Sequence, residues 1–402
     1  MLYDVIVSGL GPGGATAAYE LALKGLNVLG FDKEKFPRYK PCGGCLSLKA
    51  EKILPFDFKA VVEDTSYGVV FTFKSKRPVP IISQRPVGYN VNRGIFDNLL
   101  KEKAREAGVV VREGEKVLDI EECNDYVNIK TSGGSYKARI LIGADGANSI
   151  VAREALGFNP KMCAVAIEAE IPLEEERLAE LRGRLLIDFG CIPHGYGWVF
   201  PKSKNLSVGI AGISYKVKGR TKEYFHNYVK KEKTLVGLDI NNVHGWTIPY
   251  FHDAGQRIGK GRVLAVGDAA HLVDPFLGEG IYYAIRSAQL AAKVVSERIE
   301  DATVDVNPYN KAVAMELYPE LKAAAKLGRL VYSFPRLWYN IVEAEPSLME
   351  SYYEVVRGEK GYEGFYSNLI SRIRARPWRL ITRWLNNRRK EKRGKRNERS
   401  NL

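Results

Sequence analysis

The sequence has 402 residues, of which 45% are hydrophobic and 27% are charged, a composition that excludes collagen-like, coiled-coil and wholly disordered chains. It contains no uncharged apolar run of about 18 residues, so no membrane-spanning helix is expected. The net charge of +14 is concentrated in residues 371–402, which hold 13 Lys and Arg residues against Glu391 and Glu398. The rest of the chain is nearly neutral, so the tail is predicted to meet any anionic surface.

The cysteine count and the N-terminal pattern both indicate a cytoplasmic location. Five cysteines in a chain of this length do not predict a disulfide framework. The first residues enter a strand pattern directly, without a basic segment or a small-residue cleavage site, which argues against secretion.

The first half of the chain predicts an α/β arrangement. A strand at residues 3–8 leads into a glycine turn, an Ala-rich helix and a second strand that ends at Asp32. Another helix is predicted from Arg93, and it is followed by strand-like runs up to the buried pattern KARILIGADG at residues 137–146.

The second half predicts a sheet and then helices. Alternating hydrophobic runs between residues 160 and 250 indicate a largely antiparallel sheet. A long helix is predicted from Gly280 to about Ile299, and the chain beyond Asn307 is helical and Tyr-rich in pattern.

The first motif is G-x-G-x-x-G at Gly9, Gly11 and Gly14, which includes Pro12 and lies between a strand and a helix. Glycines allow a tight turn and the close approach of a pyrophosphate, whose charge the helix N-terminus stabilises. Asp32, 18 residues past Gly14, is placed to accept hydrogen bonds from a ribose. An incidental glycine turn is the alternative, but the strand, turn, helix and strand context favours a dinucleotide site.

Two later segments also place glycine and aspartate after predicted strands. They are GADGANSIVAR at residues 143–153 and GRVLAVGDAAHLVDPFLGEGIYYAI at residues 261–285. Asp268 offers a carboxylate to sugar-like hydroxyls, and the turn at Gly278 and Gly280 opens a helix whose amides can bind an anion. For Asp145, turn formation and ligand contact both remain open.

In combination these elements resemble the FAD-binding set of the aromatic-hydroxylase class of flavoproteins. The R-x-x-F-D-x-x-L helix of that class is matched by Arg93, Phe96, Asp97 and Leu100. Two further segments, KPCGGCLS at 40–47 and PHGYGWVFP at 193–201, are similar to the geranylgeranyl reductase family. The resemblance implies that FAD is bound by Gly9, Gly11, Pro12, Gly14, Asp32, Cys42, Gly43, Arg93, Asp268, Gly280 and Ile281.

The resemblance also implies an activity. Members of this family saturate isoprenoid double bonds with reduced FAD, so a geranylgeranyl group on a lipid, quinone or chlorin is the expected substrate. The electron donor is expected to be NAD(P)H or a ferredoxin-like protein, and the single G-x-G-x-x-G gives a nicotinamide no Rossmann domain of its own. The alternatives are a flavin monooxygenase on the same scaffold and a non-enzymatic, membrane-associated flavoprotein that relays electrons.

Three residues are predicted to be catalytic: Cys42, Tyr196 and Trp198. Tyr196, Trp198 and Phe200 alternate along one strand and would form an apolar wall for a prenyl chain, although ordinary core aromatics would show the same spacing. Cys42 is predicted to lie beside the flavin, with Cys45 incidental; a redox pair of the two is the alternative. No second C-x-x-C or suitable His pair accompanies them, so no metal is expected.

The predicted fold class is therefore α/β, with a Rossmann-like FAD-binding domain intertwined with an antiparallel substrate sheet and followed by a helical region. The FAD-binding domain is assigned to residues 1–160 and 251–306, with part of 50–90 joining the substrate region. Residues 161–250 form the substrate domain, 307–370 the helical region and 371–402 a basic amphipathic tail.

The tail pattern begins at residue 368. Apolar residues recur at helical spacing on both sides of Pro377, with arginines between them and tryptophans at positions 378 and 384. This predicts a segment that lies in the plane of an anionic membrane, so that the protein is cytoplasmic and peripherally membrane-associated. A helix packed on the protein followed by a solvated tail is the alternative. Basic runs also bind nucleic acids, but the hydrophobic substrate expected above favours the membrane, so no nucleic-acid partner is predicted.

Overall fold

A computed structural model describes residues 1–158, 162–301 and 304–375. In that part of the chain the strands are β1 (Leu2–Ser8), β2 (Val28–Asp32), β3 (Cys45–Leu46), β4 (Val62–Ser66), β5 (Gly68–Phe73), β6 (Val79–Ile82), β7 (Gly88–Val91), β8 (Val110–Glu113), β9 (Val117–Glu122), β10 (Val127–Thr131), β11 (Ser135–Gly143), β12 (Ala164–Pro172), β13 (Arg184–Phe189), β14 (Gly195–Pro201), β15 (Asn205–Ile213), β16 (His244–Ile248), β17 (Gly259–Lys260) and β18 (Val263–Ala265). The helices are α1 (Pro12–Leu23), α2 (Leu48–Ile53), α3 (Arg93–Glu106), α4 (Ile150–Leu156), α5 (Glu175–Leu181), α6 (Ser214–Val217), α7 (Thr221–Lys231), α8 (Ile281–Arg298), α9 (Pro308–Glu316), α10 (Tyr318–Ser333), α11 (Pro335–Ala344), α12 (Pro346–Val356) and α13 (Tyr362–Ala375).

The first sheet has a parallel centre in the order β18, β11, β1, β2 and β8, with β17 antiparallel at one edge. The two-stranded extension of β10 and β9 continues from β11. Every residue of β2 is buried, as expected for a parallel strand covered by helices on both faces. Because the carboxyl ends of parallel strands share one edge, the segments after β1, β2, β11 and β18 meet there.

Helix α1 packs against this sheet and against α8. Its first turns contain only small residues, and a Cβ at Gly13 would lie 3.2 Å from Val266 and 3.3 Å from the carbonyl oxygen of Ala284. The glycine therefore lets the helix approach both neighbours closely, which fixes its N-terminus at the edge of the sheet.

The second sheet has the order β16, β12, β15, β14, β13, β5 and β6. All of its pairings are antiparallel except that of β13 with β5. The predicted antiparallel sheet is thus present, and residues 68–82 complete it. Strands β3, β7 and β4 form a small third sheet.

Helices α10 to α13 cover one face of the second sheet. Their buried aromatic side chains, including Trp338, Tyr352 and Tyr362, share one core cluster with Phe71, Ile187 and other residues of the sheet. Helix α7 packs on the opposite face, through Phe225 and Tyr228.

The beginning of the predicted tail belongs to α13. Phe365 and Leu369 are 1% and 0% exposed, so this helix packs on the protein body as the alternative interpretation proposed. Residues 376–402 lie outside the described part of the chain. None of the described helices is long and apolar enough to cross a membrane.

Candidate active site

One cavity of about 1090 Å³ lies between the carboxyl edge of the first sheet and the covered face of the second. Small-molecule sites usually occupy about 300–1,000 Å³, so this space can hold a large ligand. Nearly all of the predicted site residues contribute to its wall: Gly9, Gly11, Pro12, Asp32, Cys42, Gly43, Arg93, Tyr196, Trp198, Asp268, Gly280 and Ile281.

The exception is Gly14, which does not line the cavity. A Cβ there would lie 1.8 Å from the carbonyl oxygen of Gly9, so Gly14 serves the packing of the turn. Gly9 has φ +92°, and a Cβ on it would lie 2.4 Å from the carbonyl oxygen of Ala144. At Gly11 the nearest atom to an added Cβ is the Arg38 guanidinium at 3.5 Å, which leaves the backbone open to a ligand.

Two helix N-termini point to this cavity. Neither α1 nor α8 has a side-chain cap, and both begin with residues of the cavity wall, Pro12 and Ile281. Uncapped amide groups and the positive end of the helix dipole both favour an anion. This pair of termini, together with the open backbone at Gly11, fits the two phosphates of a dinucleotide.

Acidic and basic side chains surround the turn. The Asp32 carboxylate accepts hydrogen bonds from the amides of Leu10 (2.9 Å) and Glu34 (3.0 Å), which fixes its orientation at the end of β2. Arg93 donates twice to Asp97, at 2.9 Å each. Arg38 bridges the two carboxylates, 3.1 Å from Asp97 and 3.9 Å from Asp32.

Asp145 and Asp268, which follow neighbouring strands, have different roles. Asp145 accepts hydrogen bonds from the Ser149 hydroxyl (2.5 Å) and the Ile150 amide (2.8 Å), so it organises the start of α4. The Asp268 side chain lines the cavity and has no hydrogen-bond partner among the described residues. The geometry therefore favours turn formation for Asp145 and leaves the carboxylate of Asp268 free for ligand hydroxyls.

The two motifs that resemble the reductase family are in contact. A Cβ at Gly43 would lie 2.9 Å from the Phe200 ring and 3.4 Å from Nε1 of Trp198, so only glycine allows the loop to lie against this strand. Trp198 donates to Ser207 (3.1 Å), Ser207 donates to Glu168 (3.2 Å), and Tyr39 donates to the same carboxylate. Burial raises the pKa of Glu168, and the Tyr39 contact opposes that shift.

Tyr196, Trp198 and Phe200 face the same side of the second sheet, as predicted. The Tyr196 hydroxyl, however, donates to the carbonyl oxygen of Leu277 at 2.6 Å, and burial raises its pKa well above the usual value. The Tyr196 hydroxyl therefore stabilises the loop before α8 through this hydrogen bond.

Beyond these aromatic residues, part of the cavity wall is apolar. Side chains from β5, β13 and the loop before α8 form one continuous surface. They are Val69, Phe71, Leu185, Ile187, Phe276 and Leu277.

Both cysteines of the C-x-x-C motif are free thiols. Cys42 lines the cavity, accepts a hydrogen bond from the amide of Gly44 at 3.4 Å, and lies within hydrogen-bonding reach of Arg93. Burial raises the pKa of Cys45 to about 12, so that thiol stays protonated.

Sequence reasoning missed several cavity residues. Lys40 stands immediately before the Cys-Gly-Gly loop, with its ammonium 3.5 Å from the ring centre of Trp246, and burial lowers its pKa to about 8. Arg38 and Lys40 could have been noticed as cations next to a recognised motif. The contact of Tyr39 with Glu168 joins residues 129 positions apart, so no local sequence pattern predicts it.

Comparison with known proteins agrees with this geometry. The family described as "FAD binding domain" matches residues 82–305. An uncharacterized protein of Methanosarcina barkeri is 34% identical over 85% of this chain and 86% of its own length. A digeranylgeranylglycerophospholipid reductase of Methanosarcina mazei is 31% identical over 76% of this chain and 77% of its own.

A solved structure is similar as well. The crystal structure of a geranylgeranyl bacteriochlorophyll reductase-like protein from Thermoplasma acidophilum superposes with a TM-score of 0.73 and 26% identity, covering 82% of this chain and 88% of that one. The cradle built by Gly11 and the two helix termini fits FAD, so the protein is an FAD-dependent oxidoreductase. The chain belongs to the geranylgeranyl reductase family of FAD-dependent flavoproteins.

Proposed function

We propose that this protein is a reductase that saturates the double bonds of a geranylgeranyl or similar prenyl group carried by a lipid, quinone or chlorin. The observation that carries the proposal is the two-part cavity. The residues predicted to bind a dinucleotide and the apolar side chains of β5 and β13 line the same cavity, and Gly43 packs against Phe200 and Trp198 of its wall. The relatives named for prenyl lipid and bacteriochlorophyll reduction support the same substrate class.

FAD held by the glycine turn and the two helix N-termini would, when reduced, supply a hydride to one carbon of the double bond. An isolated alkene is not polarised, so the surrounding protein has to align the chain and provide a proton. The flat rings of Trp198 and Phe200 and the aliphatic side chains of β5 and β13 exclude water and present a surface to the isoprenoid. We further propose that Cys42 lies beside the reacting carbons, because it lines the cavity between Arg93 of the cofactor-binding residues and Tyr196 of the aromatic wall.

An anaerobic incubation tests the proposal. Purified protein with FAD, reduced by dithionite, is mixed with geranylgeranyl lipids, quinones and chlorins, and the products are analysed by mass spectrometry. We expect a gain of two hydrogens for each double bond reduced. Flavin reduction without any product would contradict the proposal, and an oxygen-dependent hydroxylated product would identify a monooxygenase.

A further inference from the structure

A short chain of hydroxyl groups connects a buried carboxyl to the cavity wall. The Tyr352 hydroxyl lies 2.8 Å from the Tyr362 hydroxyl, and the Tyr362 hydroxyl donates to Oδ2 of Asp274 at 2.5 Å. The three residues are 4%, 1% and 1% exposed, and they come from α12, α13 and the loop before α8. Tyr352 and Asp274 both contribute to the cavity wall.

We propose that this chain is the proton relay of the reductase, with Tyr352 as the group that protonates the alkene and Asp274 as the proton source. The inference rests on the proposed function. It extends the site to C-terminal helices that the sequence motifs do not reach.

The hydrogen-bond direction in the chain depends on Asp274. When Asp274 is ionised, Tyr362 donates to it and Tyr352 can donate to Tyr362, which turns the Tyr352 proton away from the cavity. When Asp274 is protonated, the order reverses, and the Tyr352 proton can point into the cavity. Protonation of Asp274 therefore leaves the Tyr352 hydroxyl free to donate its proton into the cavity.

The proton balance is complete. The π bond is replaced by two C–H bonds: the hydride from reduced flavin brings its electron pair to one carbon, and Tyr352 gives a proton to the other. Tyr352 regains a proton from Tyr362, and Tyr362 from Asp274, which is left as a carboxylate. Because Asp274 also faces the cavity, water can reprotonate it after the product leaves.

The surroundings of Asp274 suit a group that changes protonation. Burial raises its pKa to about 6, while the bonds from Tyr362 and the Phe276 amide oppose that shift. Glu279 of the same loop raises the pKa further and Lys49 of α2 lowers it, and these two groups pair with each other at 2.7 Å. The other titratable groups that interact with this carboxyl are the hydroxyls of Tyr196, Tyr283, Tyr332, Tyr352 and Tyr362.

Three other tyrosines of the cavity wall are less suited to donate this proton. The Tyr196 hydroxyl is held by the carbonyl of Leu277, and the Tyr332 hydroxyl by the carbonyl of Phe276. Tyr353, next to Tyr352, donates to the carbonyl of Ile81 at 2.7 Å and accepts from the Val69 amide at 3.0 Å. Tyr352 is the tyrosine among these whose hydroxyl partner is another exchangeable hydroxyl.

The test compares Tyr352→Phe, Tyr362→Phe and Asp274→Asn with Tyr353→Phe as the matched control. The measurement is anaerobic single-turnover reoxidation of the reduced flavin by a geranylgeranyl lipid, in H2O and D2O and across pH 5–8. Loss of a general acid costs about 10²-fold or more. We expect that loss in Tyr352→Phe and Asp274→Asn, and a wild-type rate that falls as pH rises through about 6. Tyr353→Phe should retain both the pH profile and the solvent isotope effect.

A second readout needs no substrate. Infrared spectra of the oxidised holoenzyme at pH 5 should show a protonated carboxyl band that is absent from Asp274→Asn and shifted in Tyr362→Phe. An unchanged isotope effect and pH profile in Tyr352→Phe, at wild-type FAD content, would overturn the relay. Failure of the wild type itself to convert the lipid would instead overturn the proposed function and leave the infrared result to stand alone.

Discussion

At the scale of single residues, two thiols three positions apart occupy different environments. Both line the cavity and both are partly buried, but Cys42 lies within hydrogen-bonding reach of Arg93, whereas desolvation raises the pKa of Cys45 to about 12. The thiolate is the reactive form of a cysteine, and the raised pKa of Cys45 makes that thiol the less reactive of the two. A role for Cys42 with Cys45 incidental therefore stays our prediction, and a redox pair stays the alternative.

Replacing Cys42 by Ser should leave FAD bound and reducible by dithionite while slowing prenyl saturation by about 10²-fold, since a change beside the proposed position of the reacting carbons would misplace the alkene. Cys45→Ser is the matched control and should cost much less. The rates are measured by single-turnover flavin reoxidation. Large, equal losses in both variants would favour a redox pair, and unchanged rates in both would remove the thiols from the reaction.

At the scale of elements, the turn between β1 and α1 uses its glycines for different purposes. Gly14 is packed against the Gly9 carbonyl, whereas Gly11 faces open space within the cavity. One substitution should therefore damage the fold and the other only the binding of the cofactor.

Gly14→Ala should lower the thermal stability of the protein, because its Cβ would lie 1.8 Å from the Gly9 oxygen. Gly11→Ala should fold normally, since the nearest atom is 3.5 Å away, but should retain less FAD because the methyl group occupies the approach of the pyrophosphate. Thermal denaturation and the flavin content after gel filtration check both expectations. A Gly11→Ala protein with full FAD retention would show that the pyrophosphate lies elsewhere.

The sequence predicted those elements that depend on residues close together in the chain. The unit of β1, α1 and β2 follows from a glycine motif and hydrophobic runs, and the alternating residues of β14 indicated which side chains share a face. Part of residues 50–90 was predicted to join the substrate region, but the parallel pairing of β13 with β5 joins residues more than 100 positions apart, as Arg184 with Gly68, so the sequence could not give β5 its partner strand. Likewise, the bond between Tyr362 and Asp274 spans 88 positions, and only packing of the C-terminal helices creates it.

At the scale of the whole molecule, the excess of positive charge is concentrated at the C-terminal end of the chain. Residues 376–402 hold 11 Lys and Arg residues against Glu391 and Glu398. A prenyl substrate carried by a lipid would have to be drawn from a membrane, and a polybasic segment contributes roughly 1 kcal/mol per basic residue near an anionic surface. Reversible peripheral attachment is therefore our hypothesis for this segment.

Removing residues 376–402 should abolish sedimentation with anionic liposomes, while FAD content and thermal stability stay at the values of the full chain. The cut belongs after Ala375, because a cut after Glu363 would also remove Phe365 and Leu369 from the core. The full chain should bind anionic vesicles at low salt and dissociate from them at high salt, because salt screens the electrostatic attraction. It should not bind neutral vesicles. Equal sedimentation of the shortened and full chains would place any membrane contact on the folded body, and no sedimentation of the full chain would refute peripheral attachment.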